Sequence, residues 1–329
     1  MTFKYKNVYI NETSTVTGPY EKNGPLSNSF DKSFRDLYFG KKTWEQAESK
    51  LIEESVDLLL GKIRKTRFDI DLFIAGDLLN QIAASNYAAS NLQIPYLGIY
   101  NACATSVEGL ILGANMVEAK QIKNCICTTS SHNNAAEKQF RYPVEYGGPK
   151  PKTTTFTTTG SASAYLTSEK IGIKIESATV GTVTDLGIKD VYHMGAVMAP
   201  ACADTIFKHL KETKRDIHYY DLILSGDLGI YGKDILTDYM QTEYGISLNN
   251  YNDTATMIYD TKNQPVYAGG SGPACAPLVT YSYIFKKMKK KELKRVLLVA
   301  TGALMSPTMV NEKLTIPSIA HAISLEAVE

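Results

Sequence analysis

The stretch "IPYLGIYNACATSVEGLILGANMVEA", from Ile94 to Ala119, changes its apolar rhythm at a cysteine. Before Cys103, the residues Ile94, Tyr96, Leu97 and Ile99 read as a short buried strand. After it, Val107, Leu110, Ile111, Ala114 and Val117 recur at helical spacing. Cys103 therefore falls at a strand-to-helix junction. The unpaired N–H groups and positive dipole end of a helix start favour a thiolate, or an anion held beside it. The competing reading is a small apolar residue in a buried turn.

Outward from this junction, strands alternate with helices, the pattern of an α/β chain with a largely parallel sheet. A helix is predicted from about Thr43 to Arg64, with Leu51, Ile52, Val56, Leu59, Leu60 and Ile63 facing a core. "DLFIAGDLL" reads as a strand, followed by a helix near Ile82 to Asn91, the Cys103 unit, and "NCICTTSSH" as a further strand. "TTTFTTTGSASAYLTS" and "IGIKIESATVGTV" read as antiparallel strands closing this half, and "RYPVEYGGPKPK" as a long loop before them. From about Tyr219 the order begins again. Ser225-Gly226-Asp227-Leu228 echoes Ala75-Gly76-Asp77-Leu78, and Ala274-Cys275-Ala276 echoes Ala102-Cys103-Ala104. Cys103 to Cys125 spans 22 positions and Cys275 to Val296 spans 21. These echoes imply a duplication, with halves at residues 1–184 and 185–329.

The 329 residues carry 35 basic and 34 acidic side chains, which gives no electrostatic case for nucleic acid. Five cysteines lack paired ligand spacing, so no metal site is expected and a reducing compartment follows. The start "MTFKYKNVYINET" has no apolar signal core, and no run is long enough to span a bilayer. Cys125 and Cys127 alternate on one strand face and read as core. The run "KKMKKKELKR" reads as a lysine-rich helix end in preference to a membrane contact.

A duplicated α/β chain with a cysteine opening a buried helix resembles the thiolase and ketoacyl-synthase superfamily. More narrowly, "GIYNACATSVEGL", "SSHNNAAEKQFRYPVEYGGPKP", "YHMGAVMAPACADT", "SGDLGIYG" and "IPSIAHAISLE" resemble the stage V sporulation protein AD family of endospore-forming bacteria. The resemblance covers nearly the whole chain. It implies a five-layer αβαβα fold of two duplicated halves, a homodimer, and binding of dipicolinic acid on its way into the developing spore. It also implies membrane-embedded SpoVA proteins as partners and a location peripheral to the inner spore membrane.

Condensing enzymes of the superfamily add to the cysteine a histidine and an asparagine, or two histidines, that polarise the thioester and stabilise the oxyanion. Those helpers are unmatched here. "LILSGDLGIYG" holds no histidine where the ketoacyl-synthase-III pattern has one, and Gly270-Ser271-Gly272 replaces Gly-Asn-Thr. Thr301-Gly302 stands where thiolases end in Cys-x-Gly. The five histidines, His132, His193, His209, His218 and His321, lie outside these motifs. The expectation is a pseudoenzyme whose Cys103 is a relic nucleophile, needing no cofactor.

A flat pyridine with two carboxylates requires N–H groups or cations for its charges and apolar faces for its ring. The resemblance supplies two pseudo-equivalent helix starts, near Cys103 and near Gly270-Ser271, pointing at one cleft. Arg141 could fork onto a carboxylate. His132 ends a strand on the ligand side of an open sheet, where it is either a donor or a rim residue. Asp77 and Asn80 end the preceding strand, with helix capping the simpler role for Asp77. Tyr142 and Tyr146 are candidate stacking partners, and His321 a pocket candidate near the terminal strand. The ligand is either the free acid or its calcium chelate. The alternative functions are an acyltransferase or condensing enzyme using Cys103 with His132 or His321, and a structural subunit with an empty cleft.

Overall fold

The computed structural model describes residues 1–328. The Cys103 junction opens a helix as the periodicity requires, and the duplication is visible in the order of elements. The first copy runs β1 (Tyr9–Thr17), α1 (Trp44–Ile63), β2 (Leu72–Gly76), α2 (Ala83–Leu92), β3 (Tyr96–Gly98), α3 (Thr105–Glu118), β4 (Asn124–Ser131), a short α4 (Asn133–Phe140) and β5 (Gly160–Thr167). The second runs β6 (Ile173–Val180), α5 (Met194–Thr213), β7 (Leu222–Ser225), α6 (Gly229–Tyr244), β8 (Tyr251–Asp253), α7, β9 (Arg295–Ala303) and β10 (Ser318–Ala327). Helix α7 covers residues 275–289 and includes a π-helical turn at Thr280–Ile284.

The half-sheets have matching orders, β3-β2-β4-β5-β1 and β8-β7-β9-β10-β6. Their inner strands are parallel, with β5 antiparallel to β4 and β10 antiparallel to β9. Strand β6 pairs with β10 along most of its length and meets β1 only at Tyr9–Lys174 and Ile10–Ile173. It thus runs with the second half, where the sequence reading had it closing the first. Helices α3 and α7 lie between the half-sheets, α1 and α2 cover one outer face, and α5 and α6 cover the other. The result is five layers, αβαβα. Val107, Leu110, Leu166, Leu278, Leu298 and Ile323 share the central core.

Local chemistry accounts for the element boundaries. Thr43 caps α1 by accepting from the Gln46 N–H at 3.3 Å, and Arg64 closes it in a left-handed conformation. Lys286, Lys287 and Lys289 occupy the last turn of α7, where cations complement the dipole. Cys125 and Cys127 are buried under α3, the Cys127 thiol donating to the Gly109 carbonyl at 3.3 Å.

The first half is also tied by hydroxyls. Ser14 on β1 donates to the Ser55 carbonyl of α1 at 2.6 Å, the Ser55 and Ser163 hydroxyls meet, and Ser163 on β5 pairs with Thr128 on β4 at 2.7 Å. The open sheet edges are β3 and β8; β4 is flanked by β2 and β5. "NCICTTSSH" is therefore an inner strand. No helix among the described residues is long and apolar enough to cross a membrane.

Candidate functional site

The turn between β3 and α3 is tightly made. Ala102 adopts φ +50°, and the Thr105 hydroxyl accepts from the Asn101 N–H at 2.9 Å while donating to the Ala102 carbonyl at 2.6 Å. Gly302 of β9 lies against this turn: a Cβ there would come within 2.3 Å of the Asn101 carbonyl oxygen. Only glycine permits that approach, so Thr301-Gly302 braces the cysteine turn instead of supplying a catalytic group.

Cys103 faces a narrow cleft of about 50 Å³ of enclosed space, or about 500 Å³ when its open mouth is included. Arg141, Ser271 and Gly272 line it with Tyr100, Thr155 and Thr157, and Leu78, Phe140, Met194, Met198 and Met305 supply apolar walls. The chain thus brings together Cys103, Arg141 and Ser271 among the expected residues. Gly270 precedes the lining, paired with Phe156 in a two-stranded ladder.

Arg141 is buried, and its Nε and Nη2 donate to Glu137 at 2.9 and 2.6 Å while Nη1 donates to the Val191 carbonyl at 3.2 Å. A guanidinium has five N–H groups, so two are left uncommitted.

Several expected residues lie elsewhere. His132 is buried as the cap of α4: Nδ1 accepts from the Ala135 N–H at 3.4 Å and Nε2 donates to the Leu37 carbonyl at 2.8 Å. Burial pushes its pKa down to about 4, leaving a neutral ring with both nitrogens engaged. Asp77 is likewise a cap, accepting from the N–H groups of Leu79 and Ser85 and from the Ser85 hydroxyl at 2.7–2.8 Å. Asn80 is exposed on an adjoining groove, its N–H donating to Gln139 at 2.7 Å. Tyr142 and Tyr146 are 72% and 70% exposed and meet each other edge-to-face, so neither stacks in the cleft. The apolar walls of the cleft are instead the methionines and Phe140.

His321 is buried on β10 behind the cysteine turn. Its Nδ1 accepts from the Gly181 N–H at 3.2 Å, and the Asn101 amide lies 3.3 Å from Nε2. Burial lowers its pKa to about 4, and it does not line the cleft.

The site residue that the sequence reading missed is Asp227. It follows β7 where a histidine was sought, is fully buried, and stands beside the thiols of Cys103 and Cys275. Its signal was the repeated Gly-Asp-Leu. The two aspartates have diverged because Asp253 accepts from the Leu228 and Gly229 N–H groups at 3.2 and 3.0 Å, which frees Asp227 from capping.

Burial, then the Asp227 carboxyl, push the Cys103 thiol well above its usual pKa, outweighing the Gly272 N–H and Arg141. Of the two roles that the helix start favours, the direction of this shift disfavours the thiolate. Gly272 reaches it from a backbone at φ +95°, where a Cβ would fall 2.7 Å from the Ser131 hydroxyl oxygen. The starts of α3 and α7 therefore meet at one acid.

Among solved structures, the fold is similar to a variant of OleA from Xanthomonas campestris (TM-score 0.62, 15% identity, 98% of this chain and 99% of that one). It is also similar to 3-oxoacyl-[acyl-carrier-protein] synthase III from Aquifex aeolicus VF5 (TM-score 0.55, 11% identity, 97% of each chain). At such identities the likeness establishes the thiolase-like fold alone. In sequence, the chain is 47% identical over 319 residues to stage V sporulation protein AD of Bacillus subtilis (strain 168), covering 97% of this chain and 94% of that protein. The family model for stage V sporulation protein AD matches residues 1–326. The chain, a thiolase-like fold whose cysteine sits beside an aspartate, belongs to the stage V sporulation protein AD family.

Proposed function

We propose that the chain is a non-catalytic binding protein for dipicolinic acid, supporting its uptake into the developing spore. The observation that carries this reading is Arg141: a buried guanidinium in the cleft wall with two uncommitted N–H groups, in the same cleft as Gly272 and the Cys103 turn. One carboxylate takes the arginine fork and the other the N–H groups at the helix starts. Met194, Met198, Met305 and Phe140 enclose the ring.

Acyl transfer fits the cleft poorly. No histidine lines it among the described residues, and its cysteine is held as the thiol, the unreactive form. In this reading the protein works as a homodimer beside membrane-embedded partners at the inner spore membrane; no helix among the described residues is long and apolar enough to cross one. Calorimetric titration of the pure protein with dipicolinate and, separately, with an acyl-CoA tests the reading. Saturable heat with dipicolinate alone is expected. Binding and turnover of the acyl-CoA would make it an acyltransferase, and no heat with either would make the cleft structural.

A further inference from the structure

Asp227 is fully buried, and neither of its carboxyl oxygens meets a donor at full hydrogen-bond geometry, although the Cys103 and Cys275 thiols and the Gly272 N–H stand beside them as its nearest donors. It sits at φ +67°, a left-handed conformation that aspartate tolerates better than most residues. Every element packed around it presents a group: Cys103 from the α3 turn, Gly272 and Cys275 from the start of α7, and Asp253 from β8. Beyond Cys103 lies the Arg141–Glu137 pair, and beyond Asp253 lie Tyr251 and Cys202. Asp253 is well satisfied, accepting from the Ser225 hydroxyl at 2.5 Å and from the N–H groups of Leu228, Gly229 and Ala255. Asp227 has no comparable support for a charge, and burial followed by Asp253 raises its pKa well above the usual carboxylate range.

Cys103 and Gly272 line the cleft, and Asp227 stands directly behind them. The thiol is both a weak donor and a weak acceptor, so its direction depends on its neighbour. A protonated carboxyl offers its O–H to sulfur and leaves the S–H free to point at the ligand. An ionised carboxylate takes the S–H and turns a sulfur lone pair toward the cleft. We propose that Asp227 sets the polarity of Cys103 toward the cleft, so that a carboxylate ligand is captured together with one proton, which resides on Asp227. This rests on the dicarboxylate reading of the cleft. Asp227 is in this sense a positioning residue, acting through the thiol and Gly272.

Three measurements test it. The first uses no dicarboxylate: the rate of Cys103 alkylation by iodoacetamide is followed against pH, with the site located by mass spectrometry. Above the pH at which Asp227 ionises, Asp227→Asn should react at least tenfold faster than the parent, because an amide neither takes the S–H as a charged acceptor nor repels a thiolate. Superimposable profiles would overturn the proposal. The second is dipicolinate titration in two buffers of different ionisation heat. As the pH rises through the titration of Asp227, the parent should take up a growing fraction of a proton, approaching one per ligand, and lose affinity. The Asn variant should take up none and bind evenly across pH. An equal pH slope in both would count against the idea, and if the Asn variant does not fold, the parent's proton count decides alone.

The third uses iodoacetate, itself a carboxylate. Its rate relative to iodoacetamide should fall with rising pH in the parent and stay level in the Asn variant. No dipicolinate heat, with this contrast present, would remove the ligand reading and uphold the proton linkage. An identical ratio in both proteins would sink the linkage whatever dipicolinate does.

Discussion

The guanidinium of Arg141 and the carboxylate of Glu137 form a two-pronged pair one helical turn apart, at 2.9 and 2.6 Å, with both side chains almost wholly buried. Pairs of this kind are costly to halve, because the surviving charge has no water to turn to. Glu137→Gln should lower stability by about 3–5 kcal/mol. Arg141→Ala should do the same and also weaken dipicolinate binding by about 1.5–3 kcal/mol, the cost of a lost charged hydrogen bond. Urea unfolding and calorimetry on the two variants separate these effects. An arginine variant that unfolds more easily but binds normally would take Arg141 out of the ligand's reach.

Cys103→Ser preserves side-chain size and the helix start behind it. Affinity for dipicolinate should change by less than about 1 kcal/mol, within a factor of about five. A bulky alkyl group on the same sulfur should block the cleft and lower affinity more than about tenfold. Titration before and after quantitative alkylation is the check. Full affinity in the fully alkylated protein would place the ligand elsewhere.

His132 should behave as a cap and not as a ligand. Its pKa falls from 6.5 to about 4 on folding through burial, so between those values the unfolded chain holds a proton that the folded chain does not. The stabilisation is complete above about pH 6.5 and is lost as pH falls toward 4. Asparagine also caps helices and does not titrate, so His132→Asn should gain on the parent by up to about 3 kcal/mol across that window. Dipicolinate affinity at pH 7.5 should not move. Stability difference against pH, from chemical unfolding, gives the slope; a flat difference would show that the ring is not held neutral.

The exposed edge of the first half-sheet is β3, whose Leu97 is 44% exposed. An uncapped edge with an apolar side chain invites pairing, and a two-fold copy of the same edge is the simplest partner. A dimer is expected by light scattering at micromolar concentration, and Leu97→Lys should shift it to monomer. A monomeric parent would leave this edge to another chain.

Much of the fold was legible because its signals are apolar and periodic. Leu51, Ile52, Val56, Leu59 and Leu60 mark α1, and the run after Cys103 marks α3. Strand β1 escaped because its buried residues include Ser14, Thr15 and Thr17, whose burial is supported by hydrogen bonds to the Ser55 carbonyl, Asp31 and Ser33. A strand buried through hydroxyls has no hydrophobic signature. The site was half legible. Cys103, Arg141 and Ser271, marked by the junction, the loop arginine and the duplicated helix start, do share one cleft. His132 was misplaced because strand-end position says nothing about which way a ring turns once its nitrogens find Leu37 and Ala135. Asp227 was illegible because the repeated Gly-Asp-Leu is equally the signature of a helix cap, the role that Asp77 keeps.

The hydroxyl column through Ser14, Ser55, Ser163 and Thr128 has a consequence for alignment. Serine, threonine and alanine side chains are nearly equal in bulk, so packing alone would hold such strands only loosely along their length. Directional bonds act instead as a vernier: a slip of one residue would turn Ser163 away from both of its partners at once. Strand β4 leads directly into the His132 cap, then α4, then Arg141. The axial setting of four hydroxyls is thereby transmitted to the position of one guanidinium in the cleft. Ser163→Ala, which removes almost no volume, should detune that position more than it weakens the core.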